Sequence, residues 1–336
     1  MPRDRAMPYG QETADLIDEF CVQADVAAST HAKYRSHLGE LATWLQHPRA
    51  RASGEGKHTL LTATAHDLVR FLAYLTTDER FAATADAARA GALSAGTRRN
   101  VLASIKSLYR YLLLVGLVDH DPSAGIRAPK VRHSPGFCLD PDELEQLLSA
   151  SGHSRERIQT FLLVYTAARV SELCNLTWDD VDFHARTLLL NGKNDKPHTV
   201  DIHPRLMSEL RLWYINQQHT AQHSPALAAA LAHSDTAFVL LSRTGRRLTP
   251  SAISKQLKRR AARAGIHALE PRHGEHRSRV SPHAIRRSVA TALLNSGFAL
   301  DAVADVLNHA QTDTTRRHYA FASNERRRAT IEGILR

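Results

Sequence analysis

The stretch Ser281-Pro282-His283-Ala284-Ile285-Arg286, with Leu307-Asn308-His309-Ala310 and Thr314-Thr315-Arg316-Arg317-His318-Tyr319 beyond it, decides how the rest of the chain is read. Serine is a good N-cap, and proline fits the first helical position, where its missing N–H would be unpaired anyway. The run predicts a helix from Ser281 to Gly297, with Val289, Leu293 and Leu294 continuing its apolar side, and a second helix over Leu300–Leu307. His283 and Arg286 are three residues apart, so they share a helix face and can reach one ligand. Arginine offers a planar fork matched to phosphate oxygens. Histidine moves protons near neutral pH, and tyrosine becomes a covalent nucleophile when its surroundings activate it. The chain has 20 histidines and 44 lysines plus arginines, so His283 with Arg286 alone is equally consistent with a surface pair.

Two upstream stretches change that balance. Thr166-Ala167-Ala168-Arg169-Val170-Ser171-Glu172-Leu173 follows an apolar run over 158–165, and Asn191-Gly192-Lys193-Asn194-Asp195-Lys196 is rich in turn formers between two strand-like segments, Thr187–Leu190 and His198–Ile202. Taken in order, these stretches and those of the opening resemble the boxes of the tyrosine recombinases, the phage integrase and Xer-type family. The likeness runs over residues 10–325. It implies a mainly α fold: a helical N-terminal core-binding domain, then a mixed α/β, mostly helical catalytic domain with a small β-hairpin or sheet.

The same resemblance implies a chemistry. Arg169, Lys193, His283, Arg286, His309 and Tyr319 stand where the family has its catalytic residues. Tyr319 would attack a DNA phosphodiester, form a 3′-phosphotyrosyl bond and release a 5′-hydroxyl. The two arginines would grip the non-bridging oxygens, Lys193 would protonate the leaving oxygen, His283 would assist proton transfer at the nucleophile, and His309 would hydrogen-bond a phosphoryl oxygen. Three departures stand out: Asn194 follows Lys193 where the family has glycine, Arg287 follows Arg286 where it often has histidine, and ten residues separate His309 from Tyr319 where nine are common. The first keeps Lys196 in view beside Lys193; the second implies altered packing without lost chemistry.

Composition bounds the rest. A chain of 336 residues with 43% hydrophobic residues and a mean hydropathy of −0.33 is long enough for two globular cores. No apolar run approaches the ~20 residues that cross a bilayer, and the start lacks a secretion signal, so no membrane or export is expected and the cytoplasm is the expected location. Cys21, Cys138 and Cys174 are too widely spaced for a zinc pattern or a disulfide framework. No carboxylate cluster suits a two-metal nuclease, so no metal and no cofactor are expected. The net charge of +10 is uneven: Lys plus Arg against Asp plus Glu are 14 against 13 over residues 1–120, 11 against 14 over 121–241, and 19 against 7 over 242–336. Such a basic end favours a polyanion, double-stranded DNA above all.

Along the chain, apolar spacing predicts helices over Thr13–Val26, Thr30–Leu45, Ala65–Leu75 and from Gly96 to Gly116. Thr76–Ala92 is ambiguous. Residues 10–120 are expected to form the core-binding domain, with Arg98, Arg99, Lys106 and Arg110 as phosphate contacts or as solvated charge. Residues 121–137 read as a proline-containing basic linker that includes Lys130, and 138–336 as the catalytic domain, opened by the capping box at Asp140-Pro141-Asp142-Glu143. Trp178 reads as core. Asn216–Asp235 resists placement and reads as a surface insertion. A helix after Thr249-Pro250 carries Lys255, Lys258 and Arg259 as DNA-contact candidates, with Arg260 and Arg263 beside them. His267–Arg279 reads as a long polar loop. The resemblance also implies a homo-oligomer on DNA, a tetramer, with a related recombinase as a possible partner. The biological role would be integration, excision or transposition of a mobile element, or chromosome-dimer resolution. Two other classes stay open: a non-catalytic DNA-binding accessory protein with this fold, and a relaxing enzyme of the type IB topoisomerase kind.

Overall fold

The computed structural model describes residues 10–47, 58–77, 91–131, 136–152, 154–191, 197–233, 237–266, 269–272 and 275–307. The chain divides into two compact units, Met1–His133 and Ser134–Arg336.

In the first unit four helices are described: α1 Gln11–Gln23, α2 Ala28–Gln46, α3 Ala65–Tyr74 and α4 Ala95–Leu114. They share one core, with Ile17, Phe20, Leu38, Leu41, Leu68, Phe71, Ile105 and Leu108 at its centre. The ends follow from local chemistry. Ser94 caps α4 by accepting the Thr97 N–H, two residues ahead of the start expected from Gly96. At the other end Gly116, with φ 72°, lets its own N–H reach Leu113 and the Leu117 N–H reach Leu112. Helix α3 opens with a full capping box between Thr64 and Asp67. The buried Asp67 carboxylate also meets His58 Nδ1 at 2.6 Å. Most of the ambiguous Thr76–Ala92 segment lies outside the described residues.

The second unit begins with α5 Pro141–Ser149, whose Asp140–Glu143 capping box is present as expected. Next come α6 Ser154–Thr166 and α7 Val170–Asn175. A three-stranded antiparallel sheet follows, β1 Val181–Asp182, β2 Thr187–Asn191 and β3 Pro197–Asp201, in the order β1-β2-β3. Leu188 and Leu190 point into the main core, and β3 sets Val200 and His198 opposite them. Trp178 belongs to this core as expected: its indole N–H donates to Gln217 Oε1 at 2.8 Å and its ring meets the edge of Tyr214.

The segment Asn216–Asp235, which resists placement from sequence, is mostly helical where it is described: α8 runs Pro204–Ala221 and α9 runs Pro225–Leu231. The apolar period fades along α8 because Gln217 takes a core position, where it accepts from Trp178 and donates to the Val239 carbonyl. The segment expected as a loop over His267–Arg279 contains a two-stranded hairpin, β4 Leu269–Arg272 and β5 Glu275–Ser278, paired from Leu269↔Ser278 to Arg272↔Glu275. Its residues, Leu-Glu-Pro-Arg and Glu-His-Arg-Ser, have no β-branched or aromatic side chains, so strand propensity gave no signal.

Helices α10 Pro250–Arg263, α11 Pro282–Asn295 and α12 Leu300–Val306 complete the described unit. Helix α10 buries Ile253, Leu257, Arg260 and Ala261 and leaves Lys255, Lys258 and Arg259 exposed on the other side. A satellite cluster of Ala167, Ala290, Leu294, Val303 and Leu307 packs α11 and α12 against the turn ahead of α7. That cluster positions the site.

Candidate active site

Arg169 sits at the cap position of α7, just outside its first turn. Its backbone N–H and its Nη1 each donate to a different oxygen of Glu172, both at 2.7 Å. The Glu172 carboxylate is buried while the Arg169 side chain is about one-third exposed, at 37%. A buried acid thus aims a partly open guanidinium, leaving N–H donors on its outer edge for a ligand.

Two residues earlier, Ala167 has a φ of 48°, in the left-handed region that an alanine seldom adopts. Its carbonyl accepts Arg286 Nη1 at 2.8 Å, although 119 residues separate the two. Arg286 Nη2 donates to the carbonyl of Leu307. Arg286 is itself buried, 4% exposed, on the inward side of α11. One guanidinium therefore holds the backbone two residues ahead of Arg169 and the backbone two residues ahead of His309. The strained Ala167 backbone turns its carbonyl to meet that guanidinium.

Helix α11 is fixed as its sequence requires. Ser281 accepts the Ala284 N–H at 3.1 Å, and Pro282 takes the first turn. His283 projects from that turn and is exposed. Ser288 Oγ accepts the Leu139 N–H at 2.7 Å and donates to Ala284, which ties α11 to the start of the unit. Arg287 faces the Gly136–Phe137 backbone; a side chain on Gly136 would overlap the Arg287 guanidinium. Arg279 lies over the Phe137 ring, 5.1 Å from its centre.

Two residues not singled out from sequence belong to this neighbourhood. Glu172 is the first, and its signal was available: a carboxylate three residues past Arg169 has the spacing that reaches a helix-start N–H. The second is His198 of β3. Burial pushes its imidazole below the ordinary value of 6.5; Glu172 pulls the other way, and Arg169 and Arg286 add to the downward push. A histidine at this partly covered β3 position carries no sequence signal of its own.

Of the six expected catalytic residues, the structure brings Arg169 and Arg286 into one neighbourhood, with His283 on the same helix as Arg286. Lys193, His309 and Tyr319 lie outside the described residues. Lys193 falls between Asn191 and Pro197, the last paired residues of β2 and β3. Among the DNA-contact candidates, Arg99, Arg110, Lys130, Lys255, Lys258 and Arg259 are exposed, while Arg98 and Lys106 are partly covered. Lys106 Nζ donates to the Ala124 carbonyl at 3.3 Å. The neighbours of Lys255 on α10 differ from expectation. Arg260 is fully buried, donating to the Glu156 carbonyl, Thr160 and Gln159, and burial pushes its guanidinium down to about 10. Arg263 pairs with Glu156. Both are therefore used inside the unit, holding α10 on α6. Among the described residues no group of acidic, histidine or cysteine side chains forms a metal site, and no helix is long and apolar enough to cross a membrane.

Residues 138–326 match the phage integrase family. Tyrosine recombinase XerD of Mycobacterium tuberculosis is 30% identical over 309 residues, 89% of each chain. Tyrosine recombinase XerC of Alcanivorax borkumensis is 32% identical over 229 residues, 66% of this chain and 68% of that one. This chain belongs to the phage integrase family of tyrosine recombinases. It is, as a member, a tyrosine-type site-specific recombinase of the Xer/integrase kind. The fold agrees: the crystal structure of the XerH site-specific recombinase bound to its palindromic difH substrate, a post-cleavage complex, superposes with a TM-score of 0.65 at 19% identity, covering 95% of this chain and 84% of that one. The tyrosine-recombinase fold expected from the boxes, mainly helical with a small sheet, is the fold observed.

Proposed function

We propose that this recombinase cuts and rejoins double-stranded DNA through a 3′-phosphotyrosyl intermediate on Tyr319. The observation that carries the reading is the double grip of Arg286 on the Ala167 and Leu307 carbonyls, which ties the sequence neighbourhoods of Arg169 and His309 to the helix bearing His283. Tyr319 Oη forms a bond to phosphorus as the bond from phosphorus to the 5′-oxygen breaks. The tyrosine proton leaves with help from His283, and Lys193 gives a proton to the departing 5′-oxygen. Arg169 and Arg286 hold the non-bridging oxygens while charge builds on them, and His309 donates to one of them. A 5′-hydroxyl from a second strand then reverses the step. One phosphodiester replaces another, so no external energy source is required.

In this reading residues 10–120 grip DNA as a core-binding domain, 121–137 link it, and 138–336 carry the chemistry. Arg98, Arg99, Lys106, Arg110 and Lys130 contact phosphates on the first part, and Lys255, Lys258 and Arg259 on the second. Four copies, alone or with a related recombinase, assemble on paired sites in the cytoplasm. The role is movement of a mobile element by integration, excision or transposition, or resolution of chromosome dimers.

The test is a covalent adduct. Incubated with nicked duplex containing its target, the parent protein yields a protein–DNA adduct that survives denaturation, and Tyr319→Phe yields none. Absence of an adduct with both would leave a non-catalytic DNA-binding protein. Relaxation of plasmids that lack any target would point instead to a topoisomerase.

A further inference from the structure

We propose that Arg287 is a positioning residue for Arg286: with Gly136 it clamps the segment 136–139 along the back of α11, and that clamp sets where the neighbouring guanidinium sits. The consequence for the reaction rests on the proposed role of Arg286 at the phosphate; the clamp itself does not.

Each residue of the segment meets a side chain of α11. The Arg287 guanidinium lies so close to Gly136 that a Cβ there would overlap its Nη1, Cζ and Nε. The φ of Gly136 is outside the left-handed region, so glycine is needed here for space alone. Arg287 Nη1 donates to the Phe137 carbonyl at 3.5 Å. Cys138 Sγ and Thr291 Oγ1 are 3.6 Å apart. Ser288 Oγ, itself buried, accepts the Leu139 N–H at 2.7 Å, and Leu139 belongs to the main core. Arg279 adds a second guanidinium over the Phe137 ring.

Helix geometry gives these contacts their consequence. Arg287 and Thr291 are at i and i+4 on one side of α11, with Ser288 beside them. Arg286 is about 200° round the axis from Ser288. It shares its side with Ala290, which packs in the satellite cluster with Leu307 and Ala167. Helix α11 is therefore held between the 136–139 segment and the two carbonyls that Arg286 grips. The Ser288 hydrogen bond fixes one point, about which a helix can still roll. Arg287 supplies a second hold and stops the roll. Without it, the Arg286 fork loses its fit to the Ala167 and Leu307 carbonyls.

Two substitutions remove the hold by different routes. Gly136→Ala evicts the guanidinium, which ends a flexible chain and swings aside at little cost in stability; Arg287→Ala deletes it. Full-length parent, both single variants and the double variant are compared on nicked duplex containing the target. At saturating DNA each single variant forms adduct about 10- to 100-fold more slowly than the parent. The double variant is no slower than Arg287→Ala, because the added methyl then has nothing to displace. The DNA concentration at half saturation and its salt dependence keep their parent values. A second readout needs no chemistry. In protein labelled at arginine guanidinium nitrogens, NMR follows the Arg286 Nη protons, assigned from their loss in Arg286→Lys. Their bonds to two buried carbonyls slow exchange with water, and each variant speeds it by about tenfold. Unchanged Arg286 exchange overturns the inference, as does a double variant in which the two losses multiply. A higher half-saturation with a flatter salt slope would make Arg287 a phosphate contact instead and also overturn it. Gly136→Ala carries every readout if Arg287→Ala does not fold. If Arg286 exchange quickens but the parent forms no Tyr319 adduct, the clamp stands and the catalytic reading fails. If the parent forms adduct and the variants match its rate, the positioning role is lost and the catalytic reading stands.

Discussion

Replacing Arg286 by lysine would keep the charge and discard the fork. A guanidinium has five N–H donors in a fixed plane, enough to serve two backbone carbonyls and a phosphate oxygen together; an ammonium is a point charge that cannot span them. The buried carbonyls of Ala167 and Leu307 would lose their partner, at a cost of about 1–3 kcal/mol. Loss of a preorganised donor at the reacting phosphate should lower the rate of adduct formation by about 100- to 1,000-fold. Urea denaturation and adduct kinetics read the two effects separately. An unaltered adduct rate in Arg286→Lys would exclude a direct grip on the phosphate. Much at this scale was legible in the sequence, because the boxes put Arg169 and Arg286 in register with a family pattern. The carbonyl grip was not, since Ala167 and Leu307 contribute only backbone atoms and any residue type supplies a carbonyl. Nor was the fate of Arg260: in sequence it is one more basic residue among Lys258, Arg259 and Arg263, and only the packing of α10 on α6 buries it.

Elements were legible where their ends carry chemistry. Helix α11 begins where Ser281-Pro282 says it should, α5 begins at its capping box, and α4 stops at Gly116. The β4-β5 hairpin and the second half of α8 were hidden for opposite reasons: the first lacks strand-forming side chains, and the second buries a glutamine where the period calls for an apolar residue. Caps also give this scale its predictions. Ser281→Ala removes the acceptor of the Ala284 N–H and should cost about 1 kcal/mol, seen as a lower urea midpoint. In the first unit, Asp67 is a cap whose contribution depends on pH. Burial works to raise its carboxyl, but hydrogen bonds from Thr64 and His58 outweigh it and hold the group below its ordinary 3.8. A depressed carboxyl stabilises the fold fully above its unfolded value, and that stabilisation disappears as pH falls through the lower folded value. Asp67→Asn should therefore be less stable than the parent at pH 7, and the gap should narrow in acid below 3.8. Thermal unfolding of both proteins across that range checks it; a gap that stays constant with pH would mean the Asp67 charge contributes nothing.

For the whole molecule the governing quantity is where the charge lies. Residues 242–336 hold 19 basic against 7 acidic side chains, while the preceding two segments are near balance or acidic. Part of that excess is spent internally: Arg260 on α6 carbonyl and side-chain oxygens, Arg263 on Glu156, Arg287 on the Gly136–Phe137 backbone. Lys255, Lys258 and Arg259 remain on one exposed stripe of α10, spaced at i, i+3 and i+4, so a single backbone of DNA can meet all three. Each phosphate neutralised by such a side chain releases condensed counterion, and the logarithm of affinity falls against the logarithm of salt with a slope of about −0.9 per contact on B-form duplex. Replacing the three together by alanine should therefore flatten that slope by about 2.7 if each meets a phosphate. The loss should be similar for target and unrelated duplex, because phosphate contacts position without reading sequence. Fluorescence anisotropy over a series of salt concentrations provides the slope for parent and variant. A parallel pair of lines, offset or not, would show that the α10 stripe faces solvent in the complex and that other basic side chains carry the contact.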